Sequence, residues 1–140
     1  IYMHNRKPKP LIFRDMKPAN ILIDPDGRVY IVDFGIADWA AGFGLTLLGT
    51  IGYSPPEQYA GKSDARSDIF ALGATLYHVL TGRDPHKEHR AFLFHAFPPR
   101  SLNPALSKKL EAVILKAVEH KAEDRYQSAE EMKAALLACA

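Results

Sequence analysis

The chain has 140 residues, 47% of them hydrophobic and 24% charged, which is the usage of one globular domain and excludes wholesale disorder and a fibrous repeat. Eighteen Lys and Arg against sixteen Asp and Glu leave a net charge of +2, too little to argue for nucleic acid or an anionic membrane surface as a partner. The single cysteine, Cys139, excludes a disulfide framework and a multi-thiolate metal site, and it points to a reducing, cytoplasmic setting.

In chain order, Ile1–Pro10 is basic and broken by Pro8 and Pro10, so it reads as the end of an element followed by a loop and is unlike a signal peptide. Residues 11–20 are short and irregular, with Arg14, Asp15 and Lys17 crowded together and Pro18 stiffening the backbone. Ile21–Ile23 and Val29–Val32 are β-rich runs around Asp24-Pro25-Asp26-Gly27, a hairpin signal in which Pro presets one dihedral and Gly permits a positive φ. From Asp33 to Tyr59 the chain is Gly-rich and aperiodic; a loop of that length in a compact domain is usually functional. Asp68 is expected to cap a helix running to Thr81, with Gly82 as its stop. Its apolar residues cover nearly every face, which predicts a helix buried all round and a chain of poor solubility. This stretch is well short of the ~20 residues a membrane span needs. A short helix is expected within 89–97, another opening at Asn103-Pro104, and a last one capped by the box Ser128-x-x-Glu131.

The chemistry concentrates at the hairpin. Pairing the strands about the turn is expected to set Asn20 roughly opposite Asp33, with Asp15 on the loop that feeds them. A carboxylate and an amide oxygen converging there, few in number and leaving room for phosphate oxygens and water, suit Mg²⁺ rather than zinc. Lys17 could meet a phosphoryl group with positive charge. The bland alternative is that Asp and Asn are merely turn formers. Gly61-Lys62-Ser63 lacks the first glycine and the strand of a phosphate-binding loop. His86-Lys87-Glu88-His89 is one residue short of a zinc-protease motif and reads as loop.

Phe13-Arg14-Asp15-Met16-Lys17-Pro18-Ala19-Asn20 resembles the catalytic loop of eukaryotic-like (Hanks-type) serine/threonine protein kinases, and Asp33-Phe34-Gly35 resembles their magnesium-binding tripeptide. Gly49-Thr50-Ile51-Gly52-Tyr53-Ser54-Pro55-Pro56-Glu57 is similar to the end of the activation segment. Ser67–Gly73 is similar to the start of the central buried helix, and Asp124-Arg125-Tyr126 to the late arginine motif. The resemblance covers nearly all of the chain, in the family's order, and the spelling is bacterial-looking. It implies an α+β, predominantly helical fold: the C-terminal lobe of a protein kinase over residues 1–140, with a β-hairpin at the catalytic loop and the N-terminal lobe absent. Within it, 12–20 would be the catalytic loop, 33–57 the activation segment and 68–81 the central helix.

The same resemblance implies ATP and Mg²⁺ as cofactors, with Mn²⁺ as the alternative ion, and a protein as substrate. Asp15 would orient the substrate hydroxyl and accept its proton, while Asn20 and Asp33 would hold magnesium against the phosphates. Lys17 and Thr50 would mark serine/threonine specificity. Arg14 would pair a phosphate placed on the loop, at Thr46 by preference. Glu57 and Arg125 would form a buried ion pair, and Asp68 would hold the catalytic-loop backbone. Phe13 stands where the family most often has His, keeping the stacking and losing the hydrogen bonds. No Gly-rich phosphate loop, strand Lys or partnering helix Glu lies in the chain. The expectation is therefore a piece of a longer polypeptide whose missing N-terminal lobe carries the rest of the nucleotide site, with negligible transfer by the chain alone. The rival reading is a non-catalytic, pseudokinase-like binding or scaffold module.

Overall fold

The apolar run after residue 64 is one helix in the computed structural model, which describes residues 1–33, 38–39, 49–87 and 92–139. This helix spans Ala65–Thr81, three residues longer at its start than the pattern implies. The expected cap Asp68 lies inside it; the cap is Asp64, whose side chain accepts from the Arg66 amide and whose backbone N–H donates to Ser67. Both arrangements satisfy the helix-start amides, and two acidic residues four apart look alike in sequence. The earlier start turns Asp68 inward, where it is only 5% exposed. The neighbouring residues Ser67, Ile69, Phe70, Ala71, Ala74 and Tyr77 are buried as well. Val79, at 59% exposed, is the departure from burial on every side.

The remaining elements are short. Strand β1 is Leu11–Ile12, β2 Ile21–Ile23, β3 Val29–Ile31 and β4 Asp38–Trp39. Helix α1 is Pro56–Tyr59, α2 the long Ala65–Thr81, α3 Pro99–Leu102, α4 Lys108–Ala117 and α5 Ala129–Leu137. The stretch from Asp33 to Tyr59, expected to be loop throughout, thus holds a strand that pairs antiparallel with β1, and it ends in a helical turn. Two-residue strands and a four-residue helix carry no periodicity from which they could be read. The helix expected to open at Asn103-Pro104 begins instead behind Ser107, whose hydroxyl accepts from the Leu110 amide. Of the short helix expected within 89–97, residues 89–91 lie outside the described residues and 92–97 are turns and bends with no helix; the next helix is α3, which starts at Pro99, Pro being tolerated in a first turn. At α5, Ser128 accepts from the Glu131 amide as expected, but Glu131 accepts from the backbone of Gln127, one residue before the cap.

Strands β2 and β3 pair Ile21 with Ile31, Leu22 with Tyr30 and Ile23 with Val29. The turn closes through Asp24 N–H to the Arg28 carbonyl and Gly27 N–H to the Asp24 carbonyl, with Gly27 at φ +78. It is a three-residue hairpin loop ending in a left-handed glycine. The ladder runs on through Val32 N–H to the Asn20 carbonyl. Asn20 is therefore opposite Val32 and not Asp33, which corrects the expected register by one residue.

The core is built on α2. One cluster joins Phe70, Ala74 and Tyr77 to Tyr53, Phe94, Ile114 and Val118; Phe94 meets Phe70 and Tyr77 edge-on, with ring centroids 5.8 and 5.0 Å away, the favoured arrangement of aromatic quadrupoles. A second joins Ile69 to Val113, Ala117, Tyr126 and Met132 of α4, α5 and the loop between them. A third seats the loop that precedes β2, placing Phe13 and Met16 on Ala71. Gly73 lets α2 and α4 approach: a Cβ there would stand 2.7 Å from that of Ala117. Beside the third cluster, Ile1, Met3, Met16, Leu72 and Met132 line an apolar cavity of about 320 Å³. Among the described residues, no helix is long and apolar enough to cross a membrane.

Candidate active site

Helix α2 holds the loop that precedes β2 from below. Asp68 accepts from the backbone amides of Phe13 (2.9 Å) and Arg14 (2.8 Å), and from Nε2 of His4 (2.8 Å). Arg14 sits at φ +70, a left-handed conformation that costs a side-chain-bearing residue about 1–2 kcal/mol. Two bonds from one buried carboxylate to consecutive amides offset that cost. From the other side Gln58 of α1 donates its Nε2 to the Arg14 carbonyl (2.8 Å) and to Ser54 Oγ (3.1 Å). Gly49 is glycine for the same reason: a Cβ there would collide with both Ser54 Oγ and Gln58 Nε2. Phe13 is fully buried in the third cluster, so the ring where the resemblance expects His serves as packing.

That clamp presents Asp15 to a closed polar ring. Thr50 Oγ1 donates to Asp15 Oδ1 at 2.8 Å, and Lys17 Nζ lies 2.8 Å from both Thr50 Oγ1 and Asp15 Oδ2. Asn20 donates through Nδ2 to the Asp15 carbonyl (2.8 Å) and to Asp15 Oδ2 (2.9 Å). Asp15, Lys17, Asn20 and Thr50 are thus brought together from two loops thirty-odd residues apart, by bonds that sequence spacing does not contain. Because its amino group is committed to Asp15, buried Asn20 keeps its oxygen for another partner. Asp33 stands one position beyond the Asn20–Val32 pair, exposed and at φ +63; Asp is among the residues that tolerate this conformation, and strained backbone of this kind clusters at functional sites. Phe34, Gly35 and Thr46 lie outside the described residues.

The far end of the 49–57 segment is tied to the base. Arg125, 2% exposed, donates Nη1 to Glu57 Oε1 (2.5 Å) and Nη2 to Oε2 (3.0 Å). Its remaining donors reach the carbonyls of Glu119, His120 and Arg66, and its plane lies over the Phe70 ring at 4.9 Å. Ser67 adds a bond to Glu57 Oε1. Burial alone would raise the Glu57 carboxyl, but the hydrogen bonds and charge of Arg125 outweigh it and hold Glu57 below the usual carboxylate range.

Gln58, His4 and the Tyr53–Asp84 pair were not among the residues singled out from sequence. Gln58 was adjacent to a matched motif and could have been found by asking what satisfies the Arg14 carbonyl. Tyr53 lies inside the matched 49–57 stretch without a role of its own there, and His4 and Asp84 have no sequence signal. Tyr53 donates to Asp84 (3.0 Å) and touches His78 Nδ1 (2.5 Å); burial, then the bond to Asp84 and its charge, push the phenol well above its ordinary value.

A sequence profile of the protein kinase domain matches residues 1–136. The chain is 41% identical over 141 residues to the serine/threonine-protein kinase PknB of Mycobacterium tuberculosis, an alignment covering 91% of this chain and 22% of that protein. It is 39% identical over 140 residues to PknB of Mycobacterium leprae, with the same coverage. It is 39% identical over 142 residues to the tyrosine-protein kinase MasK of Myxococcus xanthus, covering 93% of this chain and 22% of that one. The chain therefore spans about a fifth of the length of the curated relatives it matches.

Proposed function

Because the chain belongs to the protein kinase domain family, we propose that it is the C-terminal lobe of a serine/threonine protein kinase, working with a preceding N-terminal lobe that completes the nucleotide site. The observation that carries this reading is the ring of Asp15, Lys17, Thr50 and Asn20, clamped between Asp68 and Gln58.

In this reading Asp15 orients the Ser or Thr hydroxyl of a protein substrate and accepts its proton. Thr50 on one carboxylate oxygen, with Lys17 and Asn20 on the other, removes its rotational freedom, which is the part of the barrier that positioning lowers. Lys17 brings a positive charge to the place where the phosphoryl group arrives. Asn20, through the oxygen its own bonding leaves over, and Asp33, through an exposed carboxylate, are the residues that would hold a divalent ion. Two hard protein oxygens, with the remaining positions left to phosphate and water, fit Mg²⁺ and also Mn²⁺. Bound Mg²⁺–ATP supplies the transferable γ-phosphoryl group and neutralises its charge. One relative bears the name of a tyrosine kinase, but the Lys17–Thr50 bond supports Ser/Thr acceptors here. Arg14 and Thr46 form a regulatory pair in which a phosphate on Thr46 would meet the Arg14 guanidinium. The setting is cytoplasmic.

The test joins residues 1–140 behind the upstream half of a relative's kinase domain and follows transfer from γ-labelled ATP to serine and threonine of a protein substrate. Transfer is expected, Asp15→Asn should lower it by about a hundredfold or more, and the 140-residue chain alone should transfer nothing measurable. Undiminished transfer by Asp15→Asn, or Asp15-dependent transfer by the chain alone, overturns the assignment. A folded but inactive fusion would favour the binding-module reading.

A further inference from the structure

Asp15 and Thr50 meet from two segments 35 residues apart, and a single side-chain amide ties those same two segments a second time. Gln58, on α1 and 5% exposed, directs Nε2 at the Arg14 carbonyl (2.8 Å) and at Ser54 Oγ (3.1 Å). A carbonyl oxygen can only accept, so the nitrogen of Gln58 and not its oxygen faces Arg14, and its two protons divide between the two contacts. One contact is on the residue before Asp15. The other is on Ser54, whose amide donates to the Thr50 carbonyl at 3.1 Å. Gln58 is itself held from the base, because Glu57 beside it is tied to Arg125 and to Ser67 of α2. The next residue of α2, Asp68, holds the Arg14 amide, so α1, α2 and the loop close a circuit around Arg14.

The two bonds on Arg14 act on different peptides. Asp68 takes the N–H of the Phe13–Arg14 unit, whereas Gln58 takes the carbonyl of the Arg14–Asp15 unit. That second unit is planar, so fixing its oxygen fixes the direction in which the Asp15 amide and Cα leave it. Arg14 between them is at φ +70, a region that a side-chain-bearing residue leaves unless its flanking peptides are held. We propose that Gln58 is a positioning residue for phosphoryl transfer. Through the Arg14 carbonyl and Ser54 it sets the direction of the Asp15 carboxylate and its registry with Thr50, so the aspartate is in place only while the end of the 49–57 segment is docked on the base. Glu57 fastens that segment, and Gln58 passes its position on to Asp15. The space is shaped for this amide, since a Cβ on Gly49 would stand 2.3 Å from Gln58 Nε2. Asn would fall one methylene short, and a carboxylate of the same shape would turn a second acceptor on the Arg14 carbonyl. The proposal deepens the reading of Asp15 as the base and rests on it.

The experiment uses Gln58→Met, which keeps the length and the packing and removes the donor, and Gln58→Glu, which keeps the shape and regains a donor only when protonated. In the fused kinase domain, at a temperature where each variant is folded, Gln58→Met should lower kcat by about tenfold or more and leave KM for ATP and for the protein substrate within about twofold. Gln58→Glu should lose as much in mild alkali and recover relative to the unsubstituted fusion as pH falls, because the protonated carboxyl again donates to the Arg14 carbonyl. In the 140-residue chain, without ATP, two resonances should shift in Gln58→Met while those of α4 and α5 stay in place. They are the amide nitrogen of Asp15, which shares its peptide with the Arg14 carbonyl, and the Asn20 side-chain amide, which donates to Asp15. Where Gln58→Met does not fold, the pH recovery of Gln58→Glu and its shifts at Asp15 and Asn20 decide. An unchanged kcat, a loss carried by KM alone, a ratio independent of pH, or unmoved Asp15 and Asn20 signals overturns the positioning role. A fusion that transfers nothing ends the reading of Asp15 as the base, and the shifts in the 140-residue chain then still show whether Gln58 sets its geometry.

Discussion

On α2 and the elements packed against it, Phe70, Ala74, Ile114 and Ala117 are fully buried, and the polar groups among them are bonded several times over. On the β2–β3 hairpin, Leu22, Ile23, Val29 and Tyr30 remain 49–69% exposed on a ribbon of two strands. The helical base resembles the interior of a finished domain, whereas the hairpin resembles one whose cover is elsewhere, since an isolated ribbon of this kind is marginal in water. The residues proposed for chemistry sit between the two, fastened to the base by Asp68 and Gln58 and to the hairpin by Asn20. The contrast teaches that the stability of this chain and its proposed chemistry depend on different residues and should be separable by mutation.

The base should yield most when Arg125 is lost. Arg125→Ala leaves Glu57 partly buried without its partner and empties donors from three carbonyls, so a destabilisation of about 3–5 kcal/mol is expected from the urea midpoint. A loss under about 1 kcal/mol would show that the base does not depend on the pair. Cutting the fastening rather than the base, Asp68→Ala strips two amides and His4 of their acceptor, at about 1–3 kcal/mol. Its local signature is faster hydrogen exchange at Phe13 and Arg14, with α4 and α5 protection unchanged relative to the new global stability.

Acid should attack the base at the same place. The carboxyls of Glu57 and Asp64 are held below their ordinary values, Asp64 by its bonds and ion pair with Arg66 against the opposing effect of burial. A group with a depressed folded pKa contributes stability that is present above its unfolded value, about 4 for these carboxyls, and is lost as pH falls through the folded one. The urea midpoint should therefore fall below about pH 4, and Glu57→Gln should flatten that limb. The smallest effect on stability is expected on the hairpin, where Leu22→Ser and Ile23→Ser should change it by no more than about 0.5 kcal/mol while raising the concentration at which the chain stays monomeric in light scattering. A cost above about 1.5 kcal/mol would mean the ribbon is packed after all.

Much of this arrangement was legible because it repeats or is spelled locally. The helix over Ile69–Leu80 announced itself by continuous apolarity, the hairpin by Asp24-Pro25-Asp26-Gly27, and the α5 cap by Ser128. The one-residue error in register arose because setting Asn20 opposite Asp33 leaves four residues between the strands, one more than the three-residue turn that closes on the left-handed Gly27, and pleating makes a slip of one reverse every side chain. Asp68 was singled out as the cap of a helix start that lies four residues earlier, at Asp64, and, from the family resemblance, for a backbone contact; only the true start at Ala65 decides which way it faces.

Residue types and their order carried by themselves the mostly helical character of the chain and, through the family resemblance, Asp15, Lys17, Asn20 and Thr50 as candidates, since apolar period and short motifs are properties of neighbouring residues. Tertiary structure alone decided that Thr50 closes on Asp15 across thirty-five residues, that Gln58 and Asp68 grip Arg14 from opposite sides, and that a tyrosine hydroxyl joins His78 to Asp84. Those contacts exist because a buried donor or acceptor must find a partner wherever the packed chain brings one, and separation along the sequence carries no record of that search.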